Sequence, residues 1–119
     1  MFKQVLREVV ERTEGGIAGL VMGYDGIPVE NYVKGDSGFD IETIGMELSI
    51  ILTQISKAAE MLESGTTREV AIQAERMTTV IRFLNDQYFV ALAIEPGGNF
   101  GKGRFLLRTL TPKLLDDLV

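Results

Sequence analysis

The sequence predicts a single α+β domain of 119 residues in which a hairpin and a three-stranded meander form an antiparallel sheet, with helices before, between and after them. Three observations carry this. Apolar residues recur at helical spacing near both ends and between residues 40 and 63, strict alternation begins after Thr67, and the pairs Asp25-Gly26 and Asn85-Asp86 each separate two apolar runs. No apolar run approaches the ~20 residues that cross a bilayer.

Phe2, Val5, Leu6, Val9 and Val10 mark one face of the first helix, which Gly15 and Gly16 stop. Asp25-Gly26 joins two strands, and Pro28, which cannot donate to a ladder, makes the second an edge. Ala18, Gly19 and Gly23 point to an element packed closely on the first strand. The long helix runs from Asp40 to Glu63. Asp40 is its N-cap, Phe39 and Ile44 form a hydrophobic staple, and Gly65 is the stop. Ile41, Ile44, Leu48, Ile51, Leu52, Ile55, Ala59 and Leu62 share the side expected to face the core. The opposite side places Met46, Ile50 and Met61 beside Thr53, Gln54 and Lys57, which reads either as scattered surface apolars or as a partner face. A third row, Gly45, Ser49, Leu52 and Ser56, has small side chains that either admit a second helix or accommodate the sheet beneath.

Val70, Ile72 and Ala74 alternate with Glu69, Ala71, Gln73 and Glu75 in the first meander strand. Long and without proline, it would be another edge unless covered, and such an edge invites pairing with a second chain. The stretch EPGGNFGKGRFLLRTL leaves the last strand, turns, and enters a helix capped by Asn99. It does not meet the phosphate-loop pattern, because Gly97 stands one residue too close to Gly101 and Lys102 is followed by Gly103 instead of Ser or Thr. Close backbone contact accounts better for Gly101 and Gly103. Leu107, Leu110, Leu114 and Leu118 line the final helix, in which Pro112, preceded by Thr111 as a new cap, predicts a kink or break.

Composition removes several functions. With no Cys there is no disulfide, which fits a reducing cytoplasm, and the charged N-terminal stretch MFKQVLREVVERTE is no signal peptide. With no His either, the commonest general base and metal ligand are missing, and an enzyme would have to work with carboxylates, Ser, Thr, Lys or Tyr; no cofactor, metal or catalytic residue is expected. A net charge of −5 opposes nucleic-acid binding. A hydrolase built on Asp25, Asp36 or Asp40 is disfavoured because those acids serve the turn, the loop and the cap.

The order helix, hairpin, long helix, meander, helix resembles the Roadblock family of dynein light chain type, and within it the MglB-like regulators of Ras-like GTPases. The likeness spans the whole chain. It is carried by GIAGLVMGYDGIPVENY, by FDIETIGMELS at the start of the long helix, and by EVAIQAERMTTVIRFLNDQYFVALAIEPGGNFGKGRF, where Pro and Gly precede the Asn-Phe-Gly that opens the last helix. Pro112 and the glycine-free turn at Asn85-Asp86 depart from the pattern. The resemblance implies a five-stranded sheet of order 2-1-5-4-3, with the long helix on one face and the terminal helices on the other. It implies a homodimer formed by the third strands, here Arg68 to Arg76, and by the long helices, with Gly45, Ser49, Leu52, Ser56, Val70, Ile72 and Ala74 as interface candidates. It also implies a non-enzymatic regulator or platform for a small Ras-like GTPase of the MglA type, received by Met46, Ile50, Thr53, Lys57 and Met61. Two other classes stand beside it. A pure scaffold would not discriminate nucleotide states, and a small-ligand sensor would need a cavity with convergent polar groups.

Overall fold

The computed structural model describes residues 1–35 and 38–118. Its elements are α1 (Phe2–Arg12), β1 (Gly16–Gly23), β2 (Pro28–Val33), α2 (Ile41–Met61), β3 (Glu69–Gln73), β4 (Thr78–Phe83), β5 (Tyr88–Ile94) and α3 (Phe100–Asp117). The sheet has the order β2-β1-β5-β4-β3 with every neighbour antiparallel. This is the α+β architecture expected from the sequence.

Local chemistry sets the turns. Asp25 Oδ1 accepts from the Ile27 amide at 3.0 Å, closing the β1–β2 hairpin around Gly26. Between β4 and β5 the Asn85 side chain accepts from the amides of Gln87 and Tyr88, both at 2.8 Å, so this turn needs no glycine. Asp40 and Asn99 cap α2 and α3, accepting from Thr43 N at 3.1 Å and Lys102 N at 3.0 Å.

Side chains alternate through β1 and β5 and so feed two cores. On one face Val21, Val90, Leu92 and Ile94 meet Leu6, Val9 and Val10 of α1 and Leu106, Leu107 and Leu114 of α3. On the other, Leu20, Met22, Phe89 and Ala91 meet Ile41, Leu48 and Leu52 of α2. Gly103 lets α3 approach: a Cβ there would lie 2.9 Å from Ile94 Cδ1 and 3.0 Å from Leu92 Cδ2. Gly101 has no such role, since the nearest atom to its would-be Cβ is Asn99 Oδ1 at 3.8 Å, and the close-contact explanation holds for Gly103 alone.

Two further expectations are corrected. The break at Pro112 does not occur. Hydrogen-bonded helix continues from Phe100 to Asp117, and Thr111, instead of capping a new segment, turns its hydroxyl back to Leu107 O at 2.6 Å. Leu110 and Leu114, on either side of the proline, are both buried, so packing on the sheet side holds the helix together where one backbone donor is missing. Strand β3 is also shorter than the alternating pattern. Ala74 lies beyond it, in the turn where its amide donates to Met77 O at 3.0 Å.

Candidate functional site: a half-covered sheet face

The two faces of the sheet are unequally covered. Two helices pack on one, whereas α2 alone covers the other and makes its main contacts with β1 and β2. On the α2 side, Ile81 of β4 is fully buried in the core and Val70 and Phe83 pack against it half-buried, whereas Ile72 of β3 lies outside it. Ile72 is 41% exposed, and among the described residues the outer edge of β3 has no strand partner.

The rows of α2 fall differently from the sequence assignment. The small-residue row turns inward. Gly45, Ser49 and Leu52 are buried, and a Cβ at Gly45 would collide with Leu20 Cδ2 and lie 3.0 Å from the Met22 side chain. These residues let α2 settle onto its own sheet, which removes them as a surface for a second helix; Ser56 is half-buried at the same flank. Conversely, Ile51 and Leu62, assigned to the core, are 43% and 77% exposed. At ~100° per residue they line up with half-buried Ile44 and Ile55 in one apolar row. Met46, Ile50 and Met61 form the outer crest as expected, all exposed. The clue to the missed row was available in the sequence: apolar residues occupy too wide an arc of α2 for one sheet to cover.

Thr53 and Lys57 also reach the surface. The Thr53 hydroxyl is committed to Ser49 O at 3.0 Å. Lys57 is the only cation between Ile41 and Met61 and enters no ion pair among the described residues. It borders an open groove of about 1010 Å³ between the C-terminal half of α2 and the β4–β5 turn, lined also by Tyr24, Glu60, Thr67, Arg68 and Asp86. Tyr24 stacks against Phe83 and Phe89 and donates to Asn85 O at 3.2 Å. Burial, with a smaller push from the Asp86 charge, raises its pKa to about 12. Thr67 Oγ1 is buried there without a hydrogen-bond partner among the described residues.

Two of the acids weighed in the sequence have structural roles. Asp25 serves the hairpin, and Asp40 holds Thr43 through both its amide and its hydroxyl, bonds that lower the Asp40 pKa. Asp36 lies outside the described residues. Among those residues no three of Asp, Glu, His and Cys come together as a metal site, and no helix is long and apolar enough to cross a membrane.

A five-stranded 2-1-5-4-3 sheet with one long helix on one face and the terminal helices on the other defines a Roadblock-type domain. The chain belongs to the Roadblock family. It is 41% identical to MglC from Myxococcus xanthus over 96% of both chains, with a TM-score of 0.70. It also resembles MglB from Thermus thermophilus, at 16% identity over 95% of this chain and 84% of that one, with a TM-score of 0.84. A Roadblock/LC7 domain from Streptomyces avermitilis matches at 11% identity over 95% and 97% of the two chains, with a TM-score of 0.76. No protein-family model and no curated protein matches the sequence.

Proposed function

We propose that this protein is a non-catalytic homodimeric regulator that presents its α2 surface to a small Ras-like GTPase in the cytoplasm. The observation that carries the proposal is that Ile51 and Leu62 on α2 and Ile72 on the edge strand β3 are all exposed apolar residues. In the dimer two β3 edges join and each α2 meets its counterpart along the Ile51–Leu62 row, extending the sheet and removing apolar surface from water. Val70 and Ile72 remain in the interface, while Gly45, Ser49 and Leu52 support it from beneath. An MglB structure with a tetrameric arrangement, 16% identical to this chain, supports self-association of the fold.

The crest of Met46, Ile50 and Met61, with Thr53 and Lys57, stays outside that contact and receives the GTPase. Regulation then rests on differential affinity for the nucleotide-dependent arrangements of the partner's switch loops, the only way a bound partner shifts such an equilibrium.

Sedimentation and capture on GDP-loaded and GTP-loaded Ras-like proteins test the two halves separately. A concentration-dependent dimer that Ile72→Lys converts to monomer supports the first half; a monomeric wild type rejects it. Selective capture of one nucleotide state, lost in Ile50→Glu with the dimer intact, supports the second. Equal capture of both states would identify a scaffold.

A further inference from the structure

The last helix carries a feature that neither the fold nor the α2 surface uses. From residue 96 to residue 115 the chain contains Lys102, Arg104, Arg108 and Lys113 and no acidic residue, although the whole protein has a net charge of −5. Phe105, between Arg104 and Arg108 in the chain, is 51% exposed, whereas Lys113 lines a groove with Glu8, Asp116 and Asp117.

Two aromatic–arginine units follow one another along this helix. In the first, the Arg104 guanidinium lies 5.5 Å from the Phe100 ring centroid and holds the Glu69 carboxylate of β3, with Nε at 2.7 Å and Nη2 at 2.6 Å from Oε2. In the second, one turn later, the Arg108 guanidinium lies 5.8 Å from the Phe105 centroid. Arg108 lies over its ring at a similar distance but pairs with no carboxylate among the described residues, and neither does Lys102. The ring restricts the guanidinium and leaves its N–H edge for a planar anion. The first unit shows what such an edge binds in this molecule.

We propose that the outer face of α3, centred on Phe105 and Arg108, docks an acidic segment of a partner protein, one carboxylate meeting Arg108 and an adjacent apolar side chain covering Phe105. Charge complementarity selects the occupant: this face is a basic island on an acidic protein, so an acidic peptide is attracted locally. An anionic membrane or a nucleic acid would instead present a broad negative surface to the whole chain and meet its net repulsion. Because α2 and α3 lie on opposite sides of the sheet, this contact is separate from the α2 surface proposed for the GTPase.

The test uses the full chain and fluorescein-labelled 15-residue peptides in which Glu and Asp flank a single Leu or Phe, alongside matched peptides with Gln and Asn. Anisotropy should show binding to the acidic set alone, weakening as salt rises. Arg108→Glu and Phe105→Ala should each lower affinity at least tenfold, with Arg108→Lys in between, while dimer mass and GTPase capture stay unchanged. Lack of binding to the acidic set, equal binding by Arg108→Glu, or preference for phosphatidylserine vesicles over every peptide would each overturn the proposal. A change in oligomer mass on Arg108→Glu would also overturn it, by making a second copy the occupant.

Discussion

The two faces of the sheet differ in what completes them. The face under α1 and α3 is closed within the chain, so its central apolar residues are removed from water by two helices at once. The face under α2 is closed over β1, β2 and the inner residues of β5 and β4, including Phe89 and Ile81, and leaves Ile51, Leu62 and Ile72 on the surface. A side chain in the closed layer therefore contributes to folding whatever else is present, whereas one on the open half contributes fully only when something covers it. This separates residues that hold the monomer from those available for assembly.

The comparison can be broken most sharply in the buried layers. Leu107→Ala beneath α3 should cost about 2–5 kcal/mol and Phe89→Ala beneath α2 about 3–5 kcal/mol in urea denaturation, since both side chains are fully buried. If Phe89→Ala costs little, the α2 side is not a folded core in the isolated chain. Next come the two glycines at the start of α3. Gly103→Val should destabilise by about 1–3 kcal/mol through overpacking against Ile94 and Leu92, while Gly101→Ala should stabilise by up to about 1 kcal/mol because its surroundings are open. Opposite signs at neighbouring turn positions would show that α3 presses on the sheet at Gly103 alone. Asn99→Ala, which removes the α3 cap, should cost about 1 kcal/mol in the same assay.

The smallest stability effects belong to the open half. Ile51→Glu should change monomer stability by no more than about 0.5 kcal/mol, yet shift the proposed dimer toward monomer in sedimentation. Equal loss of stability and association would mean the residue is part of the fold. The pH dependence has two limbs. The lowered pKa of Asp40 makes its contribution present above the unfolded carboxylate pKa and lost as pH falls through the folded one, so Asp40→Asn should flatten the acid limb of the stability curve. The raised pKa of Tyr24 has the opposite sense. Its contribution is present below the unfolded phenol pKa and lost as pH rises toward about 12, so Tyr24→Phe should flatten the alkaline limb.

Most of the fold was legible because it is written locally. The Asp25-Gly26 turn, the Asp40 and Asn99 caps, the period-two strands and the apolar face of α1 each depend on residues a few positions apart, and each appears in the structure. Pro112 misled because a proline weighs against helix locally, while the buried Leu110 and Leu114 that outweigh it act through contacts with distant elements. The candidate site was legible in part. Met46, Ile50 and Met61 are exposed as expected and the small-residue row accommodates the sheet, one of its two readings, but Ile51 and Leu62, expected to face the core, are exposed. Helical periodicity defines rows and their relative angles, and it contains nothing about which row meets the sheet when both are apolar or small.

The sequence by itself determined the number, kind and order of the elements, because turn chemistry, capping and hydrophobic period act over short stretches of chain. Tertiary structure decided how α2 is rotated on the sheet, how far α2 extends across it, and whether α3 survives its proline. Those outcomes depend on close approaches such as Gly45 to Leu20 and Gly103 to Leu92, between residues far apart along the chain, and shape fit at such distances is invisible until the elements pack.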